Sequence, residues 1–443
     1  MKRSLLFLVL ASLFSSLAAQ SPYTVSGGSG LPIDTIINGM EVYIVNGLSG
    51  ARITFTSSNP GTHQWYRYAN NANDAEAIPC VQTGNTSYIT GSAVLQDGYG
   101  YFVNSSSLEP SHYIWIIDYS LHPVTFLSID VVANENQCSS LAVSTNVSAD
   151  PLNYYSPSGS LGSLMRTYSL QYSTLEWDDN TLQFLAKDVT MNLTSGQVSN
   201  VMVPAPLTNT YYTLTGDQYA TRFGAQQTIH SSEYQAVAVE AHYATATDKT
   251  SADNEIHHAG DILGGSAPIT YTFTAYGNDP VAALYIWKIS QQDSITGDLT
   301  AKVRYTDKVL QYTFDQNGTY IVSLEVSDAQ SVCVDTMQTF TVIIDNTLLQ
   351  IPNFFSPGSS IGVNDELRVA YTSVITFKAY VYNRWGNLLF QWSDPSKGWD
   401  GRVNGRFVPT GVYYVVVEYK DSNGKNRIAK QAVNILRSTN QTQ

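Results

Sequence analysis

The alternation of apolar and polar residues in short runs, with turn clusters between the runs, most limits how this chain can fold. Segments such as "ITYTFTAYG" and "VYYVVVEY" alternate in this way, and Gly, Asn and Asp gather between them. A period of two indicates half-buried strands, whereas the longer period of amphipathic helices is nearly absent. The length of 443 residues exceeds that of one ordinary β domain. We therefore predict an all-β chain of several sandwich modules.

The charge balance excludes one class of partner. The formal net charge is −13, and only 13% of the residues are charged. Proteins that bind nucleic acid through its phosphates need an excess of Lys and Arg. We therefore predict no nucleic-acid partner.

The N-terminal segment "MKRSLLFLVLASLFSSLAAQ" predicts export. Basic residues at Lys2 and Arg3 precede an apolar run, which ends in small residues near Ala19. This order is typical of a secretory signal peptide, assigned to residues 1–20. No later stretch approaches the roughly 20 apolar residues of a membrane span.

Three cysteines, Cys80, Cys138 and Cys333, are too few and too scattered for a disulfide framework. We predict that they are small buried apolar residues. A single bridge between Cys80 and Cys138 is the alternative.

Two modules resemble immunoglobulin-like sandwiches. In residues 21–132, Trp65 is followed by Tyr101 and Val103, which resembles the pattern of a core Trp facing a corner Tyr, with Val in place of the usual Cys. In residues 251–346, Trp287 and Tyr320 have similar spacing, and the segment resembles a PKD-type domain. The resemblance implies tandem immunoglobulin-like β-sandwich modules. Residues 133–250 are predicted as a β-rich module of unknown type.

The last module, residues 349–437, has the densest set of motifs. The segments "IPNFFSPGSSIGVNDELRV", "VYNRWGNLLF", "WDGRVNG" and "PTGVYYVVVEY" occur in this order. Together they resemble the gliding-motility-associated C-terminal domain, the signal of the type IX secretion system. The resemblance implies delivery to the surface of a diderm bacterium, by way of the periplasm, with the secretion machinery at the outer membrane as partner.

Sixteen positions carry this resemblance and are our candidate sorting-motif residues. They are Asn353, Phe355, Pro357, Asn364, Asp365, Asn383, Arg384, Trp385, Gly386, Trp399, Asp400, Gly401, Pro409, Gly411, Tyr413 and Tyr414. Each could equally serve the fold, because Gly provides turns with positive φ and Asp caps turns. For the domain as a whole we favour a sorting role.

Residues with catalytic or metal-binding chemistry are sparse. The sequence has no H-E-x-x-H, P-loop or C-x-x-C motif. Glu240, His242, His257 and His258 are the nearest metal candidate, but adjacent histidines on a strand point to opposite faces. Asp178 and Asp179 fit a hairpin turn better than a carboxylate pair across a cleft. We therefore predict no catalytic residues, no metal and no cofactor.

The first functional hypothesis is an exported, non-catalytic surface protein that acts in adhesion or extracellular binding, with a protein or glycan ligand. One alternative is a secreted hydrolase with its catalytic centre in residues 133–250. The other is an outer-membrane component of the secretion or gliding apparatus. Fold resemblance alone does not decide among them.

Overall fold

A computed structural model describes residues 21–437 except 38, 107–111, 133–135, 257–262 and 360–361. The predicted signal peptide, residues 1–20, lies outside the described residues. Regular structure in the described ranges is almost entirely strand, with one short helix, α1 (Gln218–Arg222), and two 3-10 turns at Ala72–Asp74 and Tyr119–Leu121. The predicted all-β fold class is confirmed.

The first sandwich packs a four-stranded sheet, ordered β1-β4-β8-β7, on a six-stranded sheet, ordered β2-β3-β10-β9-β5-β6. Its strands are β1 (Tyr23–Ser26), β2 (Ile33–Ile37), β3 (Met40–Val45), β4 (Arg52–Thr56), β5 (His63–Tyr68), β6 (Glu76–Ile78), β7 (Val81–Thr83), β8 (Thr86–Thr90), β9 (Tyr99–Ser105) and β10 (Tyr113–Asp118). Residues of both sheets, among them Ile53 and Trp65, form one core cluster. The alternation seen in the sequence therefore points one face of each strand into this core.

The second sandwich has sheets ordered β11-β12-β17 and β16-β15-β18-β19, and a separate hairpin of β13 and β14. Its strands are β11 (Val124–Val132), β12 (Ser140–Ala149), β13 (Leu152–Tyr155), β14 (Leu161–Leu164), β15 (Thr167–Asp178), β16 (Gln183–Thr194), β17 (Asn200–Pro204), β18 (Thr213–Gly216) and β19 (Gln227–His230). Leu141 and Val143 on one sheet pack with Leu170 and Leu214 on the other.

The third sandwich has sheets ordered β20-β22-β25 and β21-β27-β26-β23-β24. Its strands are β20 (Ala241–Thr247), β21 (Leu263–Gly265), β22 (Ile269–Gly277), β23 (Ala282–Gln292), β24 (Leu299–Tyr305), β25 (Val309–Phe314), β26 (Gly318–Asp328) and β27 (Val334–Ile344). Phe273 of one sheet and Trp287 of the other meet in its core, with ring centroids 5.8 Å apart.

The terminal sandwich has one large sheet, ordered β29-β38-β37-β32-β33, covered by three short two-stranded sheets. Its strands are β28 (Leu348–Gln350), β29 (Phe354–Phe355), β30 (Leu367–Arg368), β31 (Ala370–Thr372), β32 (Val374–Tyr382), β33 (Leu388–Trp392), β34 (Gly398–Trp399), β35 (Arg402–Val403), β36 (Arg406–Phe407), β37 (Gly411–Asp421) and β38 (Asn426–Ile435). Trp399 lies in its core with no exposed surface.

A corner tyrosine recurs in three of the four sandwiches. The Tyr101 hydroxyl accepts a hydrogen bond from the Gln96 backbone amide at 2.8 Å. The Tyr320 hydroxyl donates to the Gln316 carbonyl at 3.0 Å. Such a bond to backbone a few residues upstream is typical of immunoglobulin-like folds. The predicted pairing of a buried Trp with a corner Tyr is present in the first sandwich, where Trp65 and Tyr101 are both fully buried.

The first and second sandwiches share a hydrophobic cluster. Trp115 and Tyr68, on the outer face of the six-stranded sheet, pack with Leu152 of β13 and Tyr219 of α1. A buried ion pair between Arg166 and Asp217 lies beside this cluster, and the Tyr119 hydroxyl donates to Asp217 at 2.9 Å.

The second and third sandwiches are joined covalently. Cys138 and Cys333, 195 positions apart, form a disulfide, and Cys80 is free and partly buried. The prediction of unbonded cysteines was therefore wrong for Cys138 and Cys333, and the alternative pairing of Cys80 with Cys138 was wrong as well. Spacing along the chain could not reveal this bond, since it depends on how two separate modules pack.

Candidate functional site

The buried half of the sorting motif builds the core of the terminal sandwich. Trp399 has ring centroids 5.7 Å from Phe355 and 5.9 Å from Tyr413. Its indole nitrogen donates to the Arg402 carbonyl at 2.9 Å. Pro357 lies against Gly401, so closely that a Cβ on Gly401 would come within 2.8 Å of the proline ring. These motif residues act through packing.

A second group of motif residues shapes connections. The Asp400 carboxylate accepts from the Arg402 amide at 3.0 Å, which caps its turn. The Pro409 carbonyl accepts from the Tyr413 hydroxyl at 2.8 Å, which makes Tyr413 the corner tyrosine of this sandwich. Gly411, at the start of β37, has a φ of 146°.

Three further motif residues lie in the loop between β29 and β30 or just before β29. The Asn353 carbonyl accepts from the Asn434 amide, and the Asn364 carbonyl accepts from the Ser356 amide at 2.7 Å. Asn364 has a φ of 54°, which Asn tolerates better than most residues. Asp365 accepts from the Gly362 amide at 2.6 Å. The Asn353 bond joins the residue before β29 to β38, and the other two bonds close the loop on itself.

The β32–β33 hairpin presents the remaining motif residues to solvent. The Asn383 side-chain oxygen accepts from the amides of Trp385 and Asn387, each at 3.0 Å. Gly386 supplies the positive φ of 81° that this turn requires. As a result Trp385 projects outward with 70% of its surface exposed. The Arg384 guanidinium lies 4.2 Å from its ring centroid, a cation–π pair.

The hairpin tip continues into an apolar sheet face, which we name the outer face and define as Tyr382, Trp385, Leu388, Val412 and Tyr414. Tyr382 is in register with Tyr414 on β37 and with Leu388 on β33. Leu388 and Tyr414 are 49% and 48% exposed. Motif matching missed Leu388 and Val412. The signal available in the sequence was a large apolar residue at those alternate strand positions that should face solvent.

The terminal sandwich also differs from the rest of the chain in charge. Residues 349–435 contain 10 of the 23 Lys and Arg residues but only 6 of the 36 Asp and Glu residues. Hence this segment is basic, although the chain as a whole is acidic. A basic and aromatic surface favours an acidic or aromatic partner surface.

The histidine candidates form no cation site in the described ranges. His242 pairs with Glu240 at 2.7 Å and stacks on Trp177 at 4.3 Å between ring centroids. His257 and His258 lie outside the described residues. No group of three metal-ligating side chains was found within the described residues.

Asp178 behaves as the turn residue that was predicted. Its carboxylate accepts from the Asn180 amide at 3.0 Å and from the Thr181 hydroxyl at 2.8 Å. The hydrogen bond from Thr181 is the main reason that the pKa of Asp178 is lowered. Asp179 accepts from the Trp177 indole at 2.7 Å. Both carboxylates therefore bond to groups within three residues of themselves.

One cleft lies where a hydrolase centre was considered. It has a volume of about 930 Å³ between the β15–β16 hairpin and residues 238–242. Its rim carboxylates are already paired, Glu176 with Lys187 and Glu240 with His242. A pair of catalytic carboxylates would instead act on a substrate held between them.

The sequence Gly358-Ser359-Ser360-Ile361-Gly362 fits the G-x-S-x-G pattern of nucleophilic serines. In hydrolases that motif joins a strand to a helix. Here it lies in the connection between β29 and β30, and Ser360 is outside the described residues. The context therefore does not match.

Fold and surface together define a class, a protein of tandem β-sandwiches with a basic terminal domain. Residues 349–435 match the family model of the CHU_C type IX secretion signal domain. The chain therefore contains a type IX secretion signal domain, which directs export to the cell surface or the extracellular space. Residues 130–231 match a fibronectin type III domain model, which gives a type to much of the second sandwich.

The comparison with solved structures found matches at low similarity, two of which contain tandem repeats or domains. One is a tetra-tandem repeat in the extending region of a large adhesion protein, with 10% identity and a TM-score of 0.23, covering 89% of this chain and 98% of that one. Another is Sidekick-1 immunoglobulin domains 1–5, with 12% identity and a TM-score of 0.25, covering 92% and 82%. At these values the matches carry no argument about function. The search of curated proteins gave no match.

A search of the described residues for membrane-spanning segments found no helix with the required length and apolar character.

Proposed function

We propose that this protein is an exported, non-catalytic surface protein, whose tandem sandwiches bind an extracellular protein or glycan in adhesion. The domain types support this role, because fibronectin type III and immunoglobulin-like sandwiches are common binding modules. The paired carboxylates at the rim of the cleft between the second and third sandwiches favour binding over hydrolysis. Within this proposal the third sandwich is a PKD-like module.

We further propose that the outer face of the terminal sandwich is what the type IX secretion machinery contacts. One observation carries this step: Trp385 is held outward by the Asn383 turn and is 70% exposed. A large apolar side chain fixed in that position contributes little to the core, whereas such residues often dominate binding interfaces. The remaining outer-face residues surround it with apolar surface.

The test compares export of the full chain in a host with and without a working type IX pore. The proposal expects the protein on the surface or in the medium only when the pore is present. Replacement of Trp385 by Ala should reduce export by about 10-fold or more, the effect of losing an interface residue worth ~1.4 kcal/mol or more.

The matched control is Ile295→Ala, which truncates an apolar residue that is 92% exposed in the β23–β24 turn of the third sandwich. This variant should export normally. Equal export of both variants would contradict the proposed role of Trp385. Export without the pore would contradict the proposal that the protein is exported by the type IX system. Stable co-purification with pore proteins after export would favour the apparatus component instead.

A further inference from the structure

The connection between the third sandwich and the secretion signal domain is short and hydrogen-bonded throughout. It comprises Asp345, Asn346 and Thr347, between the end of β27 and the start of β28. The Asp345 amide donates to the Gly265 carbonyl at 2.9 Å. The Asn346 side chain accepts from Asn317 at 2.6 Å. A flexible linker would lack such bonds to the folded domains on either side.

Thr347 is fixed to the secretion signal domain itself. Its hydroxyl donates to the Ser373 carbonyl at 2.6 Å and accepts from the Ser422 amide at 2.7 Å. Ser373 and Ser422 have no exposed surface. The Thr347 side chain therefore fixes the end of the connection to two buried serines of the secretion signal domain.

A second segment of chain crosses between the same two domains. Asn254, in the connection that follows β20, donates from its side chain to the Val369 and Pro395 carbonyls at 2.8 and 2.7 Å. The Ile256 amide donates to the Tyr371 carbonyl, and the Tyr371 amide donates to the Asn254 carbonyl. The segment thereby adds to β31 as a short parallel bridge.

Two hydrogen bonds of Ser373, one with Ser266 and one with Ala267, complete the contact. The Ser373 amide donates to the Ser266 hydroxyl at 2.8 Å, and the Ser373 hydroxyl accepts from the Ala267 amide at 3.0 Å. Ser373 has a φ of 48°, which is unfavourable for Ser and persists where surrounding structure fixes it. Ile375, two residues further on, packs against the core of the third sandwich.

We infer from these contacts that the secretion signal domain has a second function, as a permanent structural part of the exported protein that completes the third sandwich. Removing it would leave the Ala267 amide and the Ser266 hydroxyl without their partners. It would also take away Ile375, which packs against the core of the third sandwich. Buried polar groups that lose their partners destabilise a fold. A processing protease also needs a segment that is free to fit its active site, whereas hydrogen bonds hold residues 345–347 against the two domains.

The cellular test measures the mass of the exported protein. Of the two tests, only this one rests on the proposed export route. We expect the protein recovered outside the cell to retain residues 348–437. A product that ends near residue 345 would overturn the inference. The comparison with and without the pore tests the route separately, because it asks where the protein is and not what its mass is.

The test in vitro does not depend on export. A site-specific protease sequence is inserted between Asn346 and Thr347 of the full mature chain, and the purified protein is cleaved there. Cys138 and Cys333 both lie before the cut, so only non-covalent contacts can hold the pieces together. We expect co-elution of the two pieces in size-exclusion chromatography, and separation at micromolar concentration would contradict the inference.

A pair of Asn variants locates the effect. Asn254→Ala removes both bonds to the secretion signal domain, whereas Asn423→Ala truncates an exposed residue in the β37–β38 turn. In the cleaved protein Asn254→Ala should weaken association of the pieces by about 10-fold, and Asn423→Ala should leave it unchanged. Equal association of both variants would show that this segment does not hold the domains together.

Discussion

At the scale of single residues, two tryptophans of one motif have opposite environments. Trp399 is completely buried, and Trp385 is 70% exposed. The sequence marks both, since each stands beside a Gly turn, but it does not show which one points inward. That distinction follows from Asn383, whose side chain fixes the turn that carries Trp385.

Truncation of the two tryptophans should therefore affect stability to very different extents. Trp399→Ala should destabilise the terminal sandwich by about 3–5 kcal/mol, because it removes a large side chain that contacts Phe355 and Tyr413. Trp385→Ala should change stability by less than ~0.5 kcal/mol. Chemical unfolding followed by circular dichroism measures both, and a similar loss in both variants would contradict the assignment.

The hydrogen bonds of Asp421 predict that the stability of the terminal sandwich depends on pH. The hydrogen bond from Arg427, and then the Lys425 amide, hold the pKa of this carboxyl below its ordinary value of 3.8. A lowered folded-state pKa gives stability that is present above the unfolded-state pKa and is lost as the pH falls through the folded-state value. Asp421→Asn should therefore lower the unfolding temperature at pH 7, and the difference should shrink below about pH 4.

Asn423→Ala, in the same turn, is the control for Asp421→Asn and should show no such trend with pH. Thermal unfolding at a series of pH values provides the comparison. A destabilisation by Asp421→Asn that stays constant from pH 3 to pH 7 would show that the charge is not the cause.

At the scale of elements, the β15–β16 hairpin is longer than its own sandwich needs. Both strands have 12 residues. Tyr168, Leu170 and Tyr172 pack in the core of the second sandwich, but the distal end reaches the third sandwich. There Trp177 stacks on His242, with an interplanar angle of 5°.

We expect Trp177→Ala to loosen this contact without unfolding either sandwich. Aromatic pairs contribute about 0.5–1.5 kcal/mol beyond their buried area, so amide exchange in β20 should become roughly 2- to 10-fold faster. Hydrogen exchange with mass spectrometry measures this change. Leu185→Ala, which truncates an exposed residue on the same hairpin, should leave β20 unchanged, and an equal effect of the two variants would argue against the stacking contact.

At the scale of the whole molecule, the sequence predicts the sandwiches better than it predicts their junctions. Strand alternation and the spacing from Trp65 to Tyr101 report on local packing, which each module settles by itself. The disulfide from Cys138 to Cys333 and the bonds of Ser373 with Ser266 and Ala267 join positions more than 100 residues apart. Such pairs carry no periodic signal in one sequence. They arise only when completed modules pack together.

The disulfide between the second and third sandwiches can be tested by peptide mapping. A non-reduced proteolytic digest of the exported protein should contain the peptide pair with Cys138 and Cys333, while Cys80 stays free to react. Burial raises the pKa of the Cys80 thiol, so its alkylation should be slow in the folded protein and fast after unfolding. Alkylation of all three cysteines without a reductant would contradict the pairing.

Replacing both bonded cysteines by Ser tests what the bond does. Each sandwich has its own core, so we expect the strands to remain folded and the junction alone to loosen. A bond that closes a loop of this length is worth up to about 5 kcal/mol when the whole loop unfolds as one unit. Because the two cores are independent, the stabilisation by the disulfide should be smaller than this value. Loss of the bond should appear as faster proteolysis near residues 231–240. Cys80→Ser is the control, and loss of strand structure in the double variant would show that the two sandwiches fold as one unit.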